Sequence, residues 1–238
     1  LKLSKLSKIS LGNIQENIVS VRTRAGGRTS IPFPIKESAV LASLVGHIFG
    51  DGYIGKKKKQ VEYSNFNPNL IKQVKNQICN LFDIKPITEK VDRITYPSIL
   101  GEILETFGAP LAPKIYSDKL VPSWILNSEE HVVAFLKAFF DYDGSVMLSK
   151  NYRAKGLNLY VIRHIKQKKS VVNLLEQIRL MLKELDIHSG EPKLSRQYFK
   201  QDGKRVVMYL NITDYQSLIN FYRKIGLTPG AKYEKLTK

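Results

Sequence analysis

Two nine-residue stretches decide the fold that we expect: LVGHIFGDG at residues 44–52 and LKAFFDYDG at residues 136–144. Each is an apolar run typical of a helix, and each ends in an aspartate followed by a glycine. The C-terminus of a helix carries partial negative charge, so a carboxylate at Asp51 or Asp143 is placed unfavourably there. A single Asp-Gly pair after a helix is usually an ordinary turn. Two copies at the same place predict that a cation binds near both carboxylates.

Small residues predict that the two helices pack against each other. Ala42, Gly46 and Gly50 recur every four residues and share one helix face, as do Ala134 and Ala138. Small side chains allow two helix axes to approach closely. The two C-termini and their aspartates would then meet, and such oxygen ligands suit a hard ion such as Mg²⁺ or Mn²⁺. Such an ion can generate hydroxide and stabilise the leaving oxygen in phosphodiester hydrolysis.

The composition predicts a polyanionic partner. The 238 residues include 38 Lys and Arg against 21 Asp and Glu, which gives a formal net charge of +17. Nucleic acid is the usual partner of such a surface. A lysine-rich thermophilic or ribosome-associated protein is the alternative explanation. The single cysteine excludes an intramolecular disulfide and a cysteine-based metal cluster.

The hydropathy pattern gives no sign of a membrane segment. The longest uncharged apolar run, residues 39–50, is too short to span a bilayer, and the N-terminal residues do not resemble a signal peptide. We therefore expect no membrane partner and a protein that is not secreted but intracellular, in the cytoplasm, the nucleoid or an organelle.

The order of predicted elements repeats along the chain. Each half has the pattern αββαββα, and GAPLAPKIYSDKL after the first half is similar to GLTPGAKYEKL after the second, which aligns Lys114 with Lys232. We expect an α+β fold of two half-domains with pseudo-two-fold symmetry. The predicted divisions are a basic N-terminal arm (1–37), a first half-domain (38–108), a linker (109–128) and a second half-domain (129–238).

Both nine-residue stretches resemble the LAGLIDADG motif of homing endonucleases of the two-motif, monomeric type. The matching residues are Leu44, Gly46, Ile48, Asp51 and Gly52 in the first copy and Leu136, Asp141, Asp143 and Gly144 in the second. The resemblance implies two antiparallel sheets forming a saddle over double-stranded DNA, with the paired helices at the centre. It also implies metal-dependent cutting of both strands near the middle of a long asymmetric site.

The resemblance assigns roles to particular residues. Asp51 and Asp143 would bind the metal through their carboxylates, and Gly50 and Tyr142 would supply backbone carbonyls. Phe49 departs from the family pattern, because the motif has an aspartate at that position, and Tyr142 is bulky where a small residue is usual.

Basic and polar residues beyond the motifs complete the predicted site. Lys114 and Lys232 fit the basic residues that family members place near the scissile phosphates, where a cation can polarise water or stabilise developing charge; ordinary surface lysines are the alternative. Asn65 or Asn67, and Gln167, close the second predicted strand of each half, and we expect them to orient water.

The predicted strands and turns supply candidates for contact with DNA. A two-stranded ribbon can read base edges in the major groove with alternate side chains. Simple alternation places Lys193, Ser195 and Gln197 on one face of a strand and Arg196, Tyr198 and Lys200 on the other, and leaves open which face meets DNA. The remaining basic candidates are Lys56, Lys57, Lys58 and Lys59 for phosphate contact, or a solvated turn, and Arg22, Arg24 and Arg28 for a strap over DNA, or a flexible tail.

Three functions therefore remain open at this point. The first is a monomeric, intron-encoded type of site-specific endonuclease that acts on double-stranded DNA. The second is a maturase that binds intron RNA and assists splicing. The third is a DNA-binding regulator of the same fold without catalysis, which the presence of both aspartates and both lysines disfavours.

Overall fold

The computed structural model describes residues 18–22 and 30–237. A hairpin of β1 (Ser20–Arg22) and β2 (Ser30–Pro32) precedes the first half. The first half then contains α1 (Ala39–Phe49), β3 (Tyr53–Ile54), β4 (Val61–Ser64), α2 (Pro68–Phe82), β5 (Thr88–Lys90), β6 (Arg93–Tyr96) and α3 (Ser98–Thr106).

The second half follows a short 3₁₀ turn at Lys114–Tyr116 and the helix α4 (Ser123–Leu126). It contains α5 (Glu129–Asp143), β7 (Gly144–Leu148), β8 (Ala154–His164), a 3₁₀ turn (Ile165–Gln167), α6 (Lys168–Glu184), β9 (Lys193–Lys200), β10 (Gly203–Ile212), α7 (Tyr215–Lys224) and α8 (Ala231–Leu236).

The two halves have the same sheet topology. The strand order is β3-β4-β6-β5 in the first sheet and β7-β8-β10-β9 in the second, and every neighbouring pair is antiparallel. The α+β class and the duplicated αββαββα order predicted from the sequence are confirmed. The strands differ greatly in length, because β8 and β10 have 11 and 10 residues whereas β4 and β6 have four each.

Local sequence explains where the helices begin. The Ser38 hydroxyl accepts a hydrogen bond from the Leu41 amide at the start of α1, and the Asp214 carboxylate accepts one from the Ser217 amide at the start of α7. Asn67 caps α2, whose first residue is Pro68. Each cap satisfies an amide that the helix itself leaves unpaired, and proline at the first position suits the helix geometry.

One continuous hydrophobic core joins the two halves. α1 lies at its centre, where every residue from Leu41 to Phe49 is buried. The strands contribute alternate residues to this core, including Val61 and Tyr63 from β4 and Leu157, Leu159 and Val161 from β8. The residues between them, such as Glu62 and Asn158, are outside this core and lie on the opposite face of each sheet, the helix-free face.

Within the described residues, no helix combines the length and the apolar character needed to cross a membrane.

Candidate functional site

The two motif helices, α1 and α5, touch through their small residues. A methyl group at Gly46 would lie 2.6 Å from the Phe135 carbonyl oxygen and 3.0 Å from the Ala138 Cβ. A methyl group at Gly50 would lie 2.6 Å from the Tyr142 Cβ. The bulky Tyr142 is thus accommodated because the facing residue of α1 has no side chain. The close packing predicted from the four-residue spacing is present.

The glycines that follow the aspartates are required by space and not by an unusual backbone conformation. Neither Gly52 nor Gly144 has a positive φ, so neither is a left-handed helix cap of the usual kind. A methyl group would lie 2.8 Å from the His47 carbonyl oxygen at Gly52, and 2.3 Å from the Phe140 carbonyl oxygen at Gly144. The chain therefore turns tightly against the end of each helix, which holds the preceding aspartate at the helix terminus.

The two aligned lysines bind the C-terminal carbonyls of the motif helices. Lys114 Nζ donates to the Ile48 carbonyl oxygen of α1 at 3.0 Å. Lys232 Nζ donates to the Asp141 and Tyr142 carbonyl oxygens of α5 at 2.8 and 2.5 Å. A cation at the C-terminus of a helix compensates its partial negative charge. The structure thus supplies positive charge at both helix ends.

Asp143 lies in a strongly charged setting. Its burial raises the pKa of the carboxyl to about 7, against the attraction of the Lys114 ammonium. The Asp51 carboxylate adds repulsion that also raises this pKa, whereas Arg163 and Lys232 lower it. The two aspartates therefore interact electrostatically, as the sequence predicts. Asp51 itself is exposed, whereas Asp143 is half-buried.

Burial shifts the pKa values of the two lysines in the opposite direction, downward. Burial lowers the pKa of Lys114 to about 8, and Asp143 and Asp51 oppose this shift. Burial also lowers the pKa of Lys232, which the carboxylates of Asp143, Asp141 and Asp51 oppose. Both lysines thus interact electrostatically with both motif aspartates.

Arg163 is a member of this cluster that the sequence did not reveal. It lies near the end of β8 on the helix-facing side, is only 6% exposed, and donates to the Ile162 carbonyl oxygen. Burial lowers the pKa of its guanidinium to about 10, with Asp143 opposing the shift. An arginine in line with the apolar residues Leu159 and Val161 of the same strand was the available signal, because a buried charge normally has a partner.

Asp141 occupies a motif position, but its carboxylate is held by hydrogen bonds that stabilise the fold. Its carboxylate accepts hydrogen bonds from the Thr228 amide and hydroxyl, both at 2.7 Å, and Lys137 lies 3.9 Å away. Thr228 also donates to the Gln73 side chain of α2, although one hydroxyl proton serves only one acceptor at a time. These contacts attach the segment before α8 to both motif halves and so help to position Lys232.

A cavity of about 580 Å³ opens beside the helix ends. Its lining includes the motif residues Asp51, Asp141 and Tyr142, and it also includes Asn65 and Lys232. The expected water-positioning residue Asn65 thus lines the same cavity as Asp51 and Lys232, and its side-chain oxygen accepts a hydrogen bond from the Asn67 amide at 2.8 Å. The cavity gives a substrate access to this group.

The two other candidates for orienting water are placed differently. Asn67 also lines the cavity, but its oxygen caps α2 through the Asn69 amide and its amide group donates to the Pro229 carbonyl. Gln167 is at the N-cap position of α6, and its side-chain oxygen accepts a hydrogen bond from Ser170. Both side chains have local structural partners.

The oxygen atoms at the two helix ends are of the kind that a hard divalent cation binds. The described residues contain no cluster of three or more His, Cys, Asp or Glu side chains suited to a metal. Two carboxylates and helix-end carbonyls are nevertheless the oxygen ligands that Mg²⁺ accepts, with water completing its shell. The carbonyl of Tyr142 bonds to Lys232, so the lysine would have to release it.

The candidate DNA-contacting strand β9 is exposed along almost its whole length. A bulge at Ser195 pairs Leu194 with Met208 but Arg196 with Val207. Because cross-strand partners share a face, Lys193, Arg196, Tyr198 and Lys200 all lie on the helix-free side of the sheet. The predicted grouping of Lys193 with Ser195 and Gln197 on one face is therefore wrong, since simple alternation ignores the extra residue.

The other basic candidates are only partly described. Lys56, Lys57 and Lys58 are exposed in the turn after β3, whereas Lys59 forms an ion pair with Glu105. Arg24 and Arg28 lie outside the described residues, and Arg22 is described only as part of β1.

Comparison with known proteins supports the family resemblance. Residues 130–226, which include the second motif, match the family model of the LAGLIDADG-like domain, and this confirms the resemblance for that part of the chain. The replication factor C small subunit of Methanocaldococcus jannaschii is 23% identical to this chain over 226 residues. The match covers 84% of this chain but only 12% of that protein. The chain thus spans about an eighth of that curated relative.

Two solved structures are similar to this chain at low sequence identity and with TM-scores below 0.5. The N-terminal LAGLIDADG domain of DUF199/WhiA is 15% identical with a TM-score of 0.47, and the match covers 85% of this chain and 89% of that one. The meganuclease I-SmaMI, solved with uncleavable DNA, is 13% identical with a TM-score of 0.42, and the match covers 83% and 88%.

Proposed function

We propose that this chain, which carries a LAGLIDADG-like domain in its second half, is a site-specific endonuclease that cuts both strands of double-stranded DNA with a divalent metal ion. The observation that carries the proposal is the charge cluster at the ends of α1 and α5. Asp51 and Asp143 interact there with each other and with Lys114 and Lys232. Such a mixed cluster beside an open cavity can hold both a metal and a phosphate.

The charge of the molecule supports a polyanionic substrate. The net charge of +17 favours a partner with many phosphates. The helix-free face of the second sheet carries Lys193, Arg196 and Lys200 on the exposed strand β9. An exposed basic strand of this kind suits the major groove of a duplex, which admits a β-ribbon.

In this proposal the chain's own residues hold and orient the reacting phosphate. Asp51 and Asp143 would hold a divalent ion together with the Gly50 carbonyl, and such an ion would activate water and stabilise the leaving oxygen. Lys114 and Lys232, which interact electrostatically with both carboxylates, would compensate the extra negative charge of a phosphate. The positive charge of Arg163 favours the ionised form of Asp143.

The test is cleavage of a library of DNA duplexes by the 238-residue chain, with and without Mg²⁺ or Mn²⁺. We expect discrete double-strand cuts that require the metal. Asp51→Asn and Asp143→Asn should lower cleavage by at least about a hundredfold, the scale of losing one electrostatic group of an active site. Both variants should still retain the same duplexes.

Asp83→Asn is a matched control. Asp83 is exposed at the C-cap of α2 in the left-handed conformation, which asparagine also adopts readily. The Asp83→Asn variant should cut DNA as the unchanged chain does. Cutting without metal, or full activity of either motif variant, would remove the proposed roles of the two aspartates.

A second candidate is a DNA-binding protein of this fold that does not cut. It is favoured by the hydrogen bonds of Lys232 to the Asp141 and Tyr142 carbonyls, because the Tyr142 oxygen would otherwise be a metal ligand. Selective retention of duplexes without cleavage in either Mg²⁺ or Mn²⁺ would support this candidate over the endonuclease.

A further inference from the structure

The two sheets offer very unequal surfaces on their helix-free sides. In the first sheet the two central strands have four residues each, whereas β8 and β10 in the second have 11 and 10. At about 3.4 Å per residue, the long strands extend roughly 35 Å and the short ones roughly 14 Å. Along a duplex these lengths correspond to about 10 and about 4 base pairs.

The helix-free face of the second sheet carries side chains that can read bases. Asn158 pairs with Asn211, and Tyr160 with Tyr209, across the central strands. The Oδ1 atoms of both asparagines are buried and have no hydrogen-bond partner in the described structure, so base contact would come mainly from the exposed side chains of β9. Amides, arginines and hydroxyls are the groups that bond to base edges. Arg196, on the adjacent edge strand, lies over the Tyr198 ring with its Cζ 5.8 Å from the centroid.

The corresponding face of the first sheet is shorter, and two of its charged groups bind each other, whereas Lys90, the cross-strand partner of Arg93, is exposed on the same face. Arg93 Nε lies 3.6 Å from a carboxylate oxygen of Glu62, and the Ser64 hydroxyl donates to the same carboxylate. Glu62 pairs with Thr95 at the centre of this face. A carboxylate repels the phosphate backbone, so this face favours a smaller set of base contacts.

We infer that base reading is divided unequally between the halves: the second sheet reads most of the specified bases of one half-site, and the first half holds the other half-site with fewer base contacts. This inference rests on the proposed binding of double-stranded DNA. It identifies Arg196 as a specificity-determining residue, because it is exposed and shares its face with the long strands.

The experiment selects bound duplexes from a fully randomised library with the 238-residue chain, without divalent ions. Each position of the selected site is then replaced by the three other bases. We expect at least about twice as many positions in one half-site as in the other at which a substitution lowers affinity tenfold, the scale of one lost base contact.

Matched variants assign the half-sites to the sheets. Arg196→Ala should reduce base preference about tenfold at one or two positions of the strongly specified half-site. Arg93→Ala, the same change on the first sheet, should alter any preference by less than about threefold, because the Glu62 carboxylate, 3.6 Å from its Nε, competes with a base for the guanidinium. Unchanged melting temperatures of both variants establish that the folds are intact.

The outcomes separate this inference from the proposed function. Equal specification of both half-sites, or an effect of Arg196→Ala confined to the weakly specified half, would overturn the unequal division while leaving the endonuclease in place. A library from which no duplex is retained would overturn the binding of double-stranded DNA and the inference with it.

Discussion

The C-terminal ends of α1 and α5 have similar sequences but different surroundings. At the sixth motif position, α1 has Phe49, which packs against Phe135 and Phe139 with ring centroids 5.3 and 6.1 Å apart. The same position in α5 is Asp141, which binds Thr228. One end is therefore fixed by aromatic packing and the other by hydrogen bonds to the segment before α8.

The two motif aspartates also differ, in exposure and in charge environment. Asp51 is exposed beside the cavity, whereas Asp143 is half-buried among Lys114, Arg163 and Lys232 and has a raised pKa. A repeat in sequence thus produces two carboxylates that are chemically unequal. The reason is that the charge state of a group depends on burial and on neighbours from distant parts of the chain.

The largest expected effect is on stability, and it tests the aromatic packing at the C-terminal end of α1. Phe49→Ala removes a side chain that is 2% exposed from the contact of α1 with α5. It should lower the free energy of unfolding by about 3–5 kcal/mol, the usual cost of such a cavity. Phe66→Ala, at a position 95% exposed, is the control and should change it by less than about 0.5 kcal/mol. Urea unfolding measures both, and equal losses would contradict the central role of Phe49.

The second prediction sharpens the contrast between the aspartates. The Asp143 carboxyl has a pKa of about 7 in the folded chain against 3.8 as its ordinary value, so the folded state binds the proton more tightly. Its contribution to stability is therefore present below pH 4 and is lost as the pH rises to 7, by at most about 1.4 kcal/mol per pH unit. Lys114, whose pKa is lowered to about 8, acts in the opposite direction above that pH.

Urea unfolding between pH 5 and pH 7 without divalent ions measures this effect. Asp143→Asn should flatten the fall in stability, whereas Asp51→Asn should leave most of it, because burial is the main cause of the Asp143 shift. A fall in Asp143→Asn as steep as in the unchanged chain would show that another group causes it.

The smallest expected effect compares the helices that follow the second strand of each half. Asn67 caps α2 with its side chain, whereas Gln167 at the start of α6 makes no side-chain cap bond. Asn67→Ala should therefore lower the free energy of unfolding by about 1 kcal/mol, and Gln167→Ala by clearly less. Thermal unfolding of both variants measures the difference. A larger loss of stability for Gln167→Ala than for Asn67→Ala would show that Gln167 and not Asn67 contributes more to the start of its helix.

The repeated motif allowed much of the site to be predicted from the sequence. The four-residue spacing of Gly46 and Gly50 predicted the contact of the helices, and the matching segments after each half pointed to Lys114 and Lys232. These features depend on local periodicity and on repetition, which can be read without coordinates. The same reasoning did not find Arg163, because no matching residue in the first half drew attention to it.

The sequence by itself determined the duplicated α+β order, the pairing of the two motif helices and the basic character of the chain. Only the tertiary structure decided which face of β9 is free, because the bulge at Ser195 changes the alternation of side chains. It also decided that Asp143 and not Asp51 is half-buried among cations. Periodicity fixes the local direction of a side chain, but burial and charge depend on segments that only folding brings together.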